Sequence, residues 1–85
     1  MPKSVHSERH RMIAAALATQ RRAKGMSQAE VAAALGRHQP FIANIESGER
    51  RVDLVELLDL ARIIDLDVVA MVRELVRKSE SADPS

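Results

Sequence analysis

Apolar residues recur along the chain at helical rather than alternating spacing, in five runs separated by polar punctuation. The first run covers about residues 7–24, with Ile13, Leu17 and several alanines on one stripe, and Gly25 stands just past its end. The second opens on Ser27-Gln28-Ala29-Glu30, a Ser-x-x-Glu capping box in which hydroxyl and carboxylate satisfy free amides. It turns Val31, Ala32 and Leu35 inward and ends at Gly36. The third starts near Gln39 with Pro40 in its first turn, where a missing amide hydrogen costs nothing, and ends at Ser47-Gly48. Asp53-Leu54-Val55-Glu56 is a second capping box, opening a run with Leu54, Leu57, Leu58, Ala61 and Ile64. Asp67 caps the last run, which carries Val68, Met71, Val72, Leu75 and Val76.

This pattern predicts an all-α fold: a compact five-helix domain over residues 7–78, preceded by a flexible stretch 1–6 and followed by a disordered tail 79–85. Two short helices joined through a glycine turn form a helix-turn-helix. Ala32 is small where the two helices cross, and Gly36 allows a sharp turn without strain. Ile42 and Ile45 pin the second helix to the core. Gln39, Pro40, Ala43, Asn44 and Ser47 remain on its opposite face. Short and amide side chains there suit a major groove, where Gln and Asn pair bidentately with adenine and apolar atoms meet a thymine methyl.

Composition sharpens the picture. The 85 residues contain no cysteine and a single aromatic, Phe41, which excludes disulfides and thiolate metal sites and favours helix-on-helix packing. The net charge of +1 hides an asymmetry. Residues 1–51 hold nine Lys/Arg against four acids (+5), and residues 52–85 hold four against eight (−4). A basic half beside an acidic half points one face at a polyanion and leaves the other for a different use. No apolar run is long enough to span a bilayer and the N-terminus has no apolar leader, so a cytoplasmic protein with no membrane partner is expected.

Little in the chain suggests reaction chemistry. No serine has a histidine arranged as its base, and no Gly-rich phosphate loop exists. His6 and His10, four apart, could in principle chelate an ion, yet no third ligand is evident. "HSERH" reads better as a solvated helix start. His38 reads as a helix cap or a neighbour of phosphate. The expectation is no enzyme, no metal and no cofactor.

The segment "RRAKGMSQAEVAAALGRHQPFIANIESGERRVDLVELLDLARIID" resembles the Cro/lambda-repressor-like helix-turn-helix family of the xenobiotic-response-element type. The start at "SQAE", Ala32, Gly36, Ile42, Ile45 and "IESGERR" stand at the family's spacings, in one register from Gln20 to about Met71. The resemblance implies that Gln39 and Asn44 read base edges, flanked by Pro40 and Ala43. It implies phosphate contacts from Gln28, Arg50 and Arg51, with Arg37, His38 and Ser47 beside them and Arg22 and Lys24 as weaker candidates. Gln28 would also buttress the recognition helix. Arg21 and Glu46 match an ion pair between the first helix and the end of the recognition helix. Arg37, Pro40 and Glu49 depart from the usual residues of the family. The Arg37 stem is expected to cover the edge of the core while its guanidinium reaches outward.

One recognition helix spans few base pairs, so the resemblance implies a homodimer on a palindromic double-stranded operator. Val69, Val72, Leu75 and Val76 of the last helix are the candidate interface. The implied function is a transcriptional regulator, a repressor or autoregulator. Controllers of restriction-modification operons and phage or mobile-element repressors are narrower versions of it. An antitoxin with a toxin partner, or a protein-interaction adaptor on the same fold, is the alternative.

Overall fold

Helices run in the order α1 (Glu8–Ala23), α2 (Gln28–Leu35), α3 (Gln39–Ser47), α4 (Leu54–Ile64) and α5 (Val68–Ser81), in a computed structural model that describes residues 7–81. The fold is all-α, with no strand among the described residues. The stretch 1–6 and residues 82–85 of the expected tail lie outside them, and α5 continues through residues 79–81.

Each helix start rests on a local signal. Ser7 accepts the His10 amide at 3.1 Å to cap α1. Both capping boxes close: Glu30 N donates to Ser27 Oγ at 3.0 Å and Ser27 N to Glu30 Oε1 at 2.8 Å. Glu56 N donates to Asp53 Oδ1 at 2.7 Å and Asp53 N to Glu56 Oε1 at 3.0 Å. Asp67 Oδ1 accepts the Ala70 amide at 3.0 Å at the start of α5. His38 occupies the cap position of α3 without a side-chain bond.

The ends of α1 to α4 share one device, a left-handed residue that lets amides reach back. At Gly36 (φ 76°), Gly36 N bonds Ala33 O at 3.1 Å and Arg37 N bonds Ala32 O at 2.8 Å. That motif stops α2 after eight residues and swings the chain into α3. After α4 the left-handed position is held by Asp65 (φ 58°), the one non-glycine residue with positive φ among those described. Gln20 Nε2 donates to the Ile64 and Asp65 carbonyls at 3.0 and 3.2 Å, and Lys24 Nζ pairs with Asp65 Oδ2 at 2.6 Å. These bonds from α1 hold a corner that the sequence does not mark with a glycine.

The core gathers Leu17, Val31, Ala32, Ile42, Ile45, Leu57, Leu60, Ile64 and Met71, with Ile64 and Val31 fully enclosed. Along α4 the buried residues are Leu57, Leu60, Ala61 and Ile64, whereas Leu54 and Leu58 are exposed. Leu58 sits roughly 110° around the helix from that stripe at 100° per residue, which is why it misses the core. Helix α2 packs on α3 and α4, and α1 runs across α3, α4 and α5. Because α5 packs chiefly on α1, it buries Met71 and half-buries Val68 and Leu75 on one side only. Val69, Val72 and Val76 are left outside.

Candidate nucleic-acid interface

Helix α3 carries its apolar residues Ile42 and Ile45 into the core and turns Gln39, Pro40, Asn44 and Ser47 to solvent, with Ala43 half-buried between them. Ser47 Oγ donates to the Asn44 carbonyl at 3.1 Å and accepts the Glu49 amide at 3.4 Å, so this hydroxyl serves the helix end.

A continuous polar chain fixes the pose of α3. Arg21 Nε donates to Glu46 Oε2 at 2.6 Å and Arg21 Nη2 to Glu46 Oε1 at 3.0 Å, a bidentate pair whose side chains are 11% and 8% exposed. Arg21 Nη1 also donates to the Met26 carbonyl at 2.8 Å, tying the α1–α2 loop to the same centre. Gln28 Nε2 donates to Glu46 Oε1 at 2.9 Å, and Gln39 Nε2 donates to Gln28 Oε1 at 2.7 Å. Burial by itself pushes the Glu46 carboxyl up. The hydrogen bonds from Arg21 and Gln28, with the charges of Arg21 and Arg22, outweigh it and hold the group below its usual value. The same pairing raises Arg21. The fully bonded carboxylate and the fork of five donors match in shape, which fixes geometry more than it adds stability.

A second cluster gathers at the other flank of α3. The guanidinium carbons of Arg37 and Arg50 lie 4.3 and 4.5 Å from the Phe41 ring centre, within cation–π range. Arg50 Nη1 and Nη2 donate to Glu56 Oε1 and Oε2, both at 3.1 Å, and Arg50 Nη1 also reaches the Arg51 carbonyl at 2.9 Å. Arg37 Nη2 stands 3.8 Å from Glu56 Oε2. The Glu56 carboxyl is held below its usual value, first by the Arg50 hydrogen bond and then by the Asp53 amide. The Arg37 guanidinium, expected to reach outward, is instead drawn over Phe41 beside Glu56. Arg51 is exposed and enters none of these pairs, and His38 is exposed at the turn.

Two residues take positions that the sequence did not suggest. His10 is buried rather than solvated, and its Nε2 donates to the Gly48 carbonyl at 3.0 Å, joining α1 to the end of α3. The signal was present in its spacing: His10, Ala14 and Leu17 lie four and three apart on one helix face. Glu56 was legible as a cap, and its second role toward Arg50 needed the fold. Of the candidate dimer residues, Val69, Val72 and Val76 form an exposed ridge, while Leu75 packs against the core and is withdrawn from it. Among the described residues no three His, Asp or Glu gather as ligands for one ion, and His6 lies outside them. No helix among them is long and apolar enough to cross a membrane.

A family model described as a helix-turn-helix domain matches residues 13–75, which is most of the chain. No curated protein matches.

Proposed function

The chain belongs to the helix-turn-helix domain family, and on that premise we propose that it is a sequence-specific, double-stranded DNA-binding transcriptional regulator of the cytoplasm, a repressor or autoregulator. It acts as a homodimer, with α3 in the major groove of each half of a palindromic operator. Gln39 and Asn44 read base edges, Pro40 and Ala43 meet the groove floor, and Gln28, His38, Ser47 and Arg51 set the register on phosphate, while Arg37 and Arg50 are engaged by Glu56.

The observation that carries this reading is the chain Arg21–Glu46–Gln28–Gln39. A side chain that reads a base must keep its geometry before DNA arrives, because each ordered rotamer costs binding free energy. Here the Gln39 amide is already oriented by a bonded neighbour, with its face still open to solvent. The valine ridge on α5 supports a second copy, since three exposed β-branched side chains at spacing three and four suit a helix-to-helix seam.

The test is selection from a random duplex library at physiological salt, with light scattering on the same sample. Enrichment of a palindrome with half-site centres about 34–36 Å apart, from a dimer, is the expected result. No enrichment, with binding that disappears as salt rises, overturns it.

A second reading, an antitoxin or adaptor with a protein partner, draws support from Leu54, Val55 and Leu58, which leave a further exposed apolar area on α4. It takes precedence if the protein purifies in a heteromeric complex and enriches no DNA sequence.

A further inference from the structure

We infer that Glu56 is a specificity-determining residue: by gripping Arg50 and standing beside Arg37 against the Phe41 ring, it withholds two cations at the flanks of α3 from the DNA backbone and so limits sequence-independent binding. This inference rests on the DNA-binding reading above.

Sequence-independent affinity for duplex DNA comes from the number of phosphates neutralised, and specificity is the ratio of specific to nonspecific affinity. Arg37 lies just before α3, and Arg50 and Arg51 lie just after it, so all three flank the recognition helix. Only Arg51 stands outside the ion pairs. The Arg50 fork is filled by both oxygens of Glu56 at 3.1 Å, the bidentate geometry that a phosphate would otherwise take. Its Nη1 is further committed to the Arg51 carbonyl, and the planar group lies against Phe41.

Glu56 is a strong competitor because it is anchored. Its Oε1 accepts the Asp53 amide at 3.0 Å as half of the α4 capping box, and the side chain is only 15% exposed. A phosphate must displace a carboxylate that cannot diffuse away. The carboxyl stays ionised through neutral pH, as its lowered titration indicates. Arbitrary DNA then gains one free cation at this flank rather than three.

Glu56→Gln tests this while keeping the cap, since Gln also serves at the third position of a capping box. Affinity for a labelled duplex of random sequence is measured by anisotropy over a salt series. The expected result is tighter binding at low salt and a log–log salt slope steeper by about 1–2, one ~0.9 increment per added phosphate contact. The gain then shrinks about three- to fourfold per contact between ~50 and ~200 mM salt. An unfolded chain would also free Arg37 and Arg50, so the slopes are compared on protein whose helical content by circular dichroism matches that of the unaltered protein. Asp59→Asn, which removes the same charge from an exposed site on α4, is expected to leave the slope as in the unaltered protein. Adding Arg50→Gln to Glu56→Gln is expected to return the slope at least halfway.

An unchanged or shallower slope in Glu56→Gln, or an equal steepening in Asp59→Asn, overturns the inference. If Arg51→Ala still lowers the slope in that case, DNA binding stands and only the role of Glu56 falls. If the unaltered protein binds no duplex, both fall together.

Discussion

Arg21, near the end of α1, grips Glu46, near the end of α3, through two parallel hydrogen bonds of 2.6 and 3.0 Å in a site almost closed to water. The pair lies 25 residues apart in sequence and links α1 to α3. Its loss leaves a buried charge without a partner. Glu46→Ala or Arg21→Met is expected to cost about 3–5 kcal/mol by urea denaturation. The double replacement Arg21→Met with Glu46→Leu should recover most of that, because two apolar side chains need no pairing. A double-variant loss equal to the sum of the two single losses would mean that the pair is not a coupled unit.

Two bonded carboxylates, Glu46 and Glu56, set a pH dependence. Glu46 and Glu56 titrate lower in the fold than in the unfolded chain, where a glutamate titrates at about 4.3. Unfolding therefore takes up protons in acid, and the stabilisation is complete above the unfolded value and lost as pH falls through the folded ones. The thermal midpoint should hold from neutral pH to about 5 and decline below about 4. Glu46→Gln should flatten part of that decline; a profile parallel to that of the unaltered protein would contradict the assignment.

Base and phosphate contacts separate by their response to sequence and salt. Gln39→Ala and Asn44→Ala should each lose about 1–3 kcal/mol of discrimination between the enriched duplex and a mismatched one. Arg51→Ala should weaken binding to every duplex alike and reduce the salt slope by about 0.9. Competition binding at two salt concentrations distinguishes these outcomes. Uniform weakening by Asn44→Ala would remove it from the base-reading face.

His10 offers a prediction that rests on its partner in the fold, the Gly48 carbonyl. His10→Ala removes the donor to the Gly48 carbonyl and leaves that acceptor buried without a partner. A loss of about 1–3 kcal/mol is expected from the unmade bond. Amide exchange should also quicken at Glu49, whose N–H closes the end of α3 on the Asn44 carbonyl. A variant as stable as the parent would show that water satisfies Gly48 instead.

Val69, Val72 and Val76 are 65%, 41% and 50% exposed, so they are free to seat a second copy. Val69→Asp with Val72→Asp should shift light scattering from dimer to monomer and weaken operator binding through the lost second half-site. Helical content should persist, because neither side chain enters the core. A dimer that survives both changes would move the interface elsewhere, with the exposed α4 residues Leu54, Val55 and Leu58 next to be replaced.

Local signals carried most of the fold. The two capping boxes, Pro40 and the glycines after α1, α2 and α3 bound the helices within a residue or two, because caps and left-handed ends are made by neighbours in sequence. The end of α4 was legible only from hydrophobic spacing. Its left-handed residue is an aspartate whose conformation is supported by Gln20 and Lys24 from another helix. Facing positions were legible in the same measure. Ile42 and Ile45 could be assigned inward from period alone, whereas Leu54, Leu58 and Leu75 could not be sorted without knowing which helices lie against α4 and α5.

By itself, then, the sequence determined five helices, their punctuation and the polar face of the third, since each depends on residues within a turn or two of one another. Tertiary structure alone decided that His10 closes on Gly48, that Phe41 gathers Arg37 and Arg50 with Glu56, and that α5 presents three valines outward. Those relations join side chains of different helices, and a charge or ring has no fixed partner until packing brings the helices together.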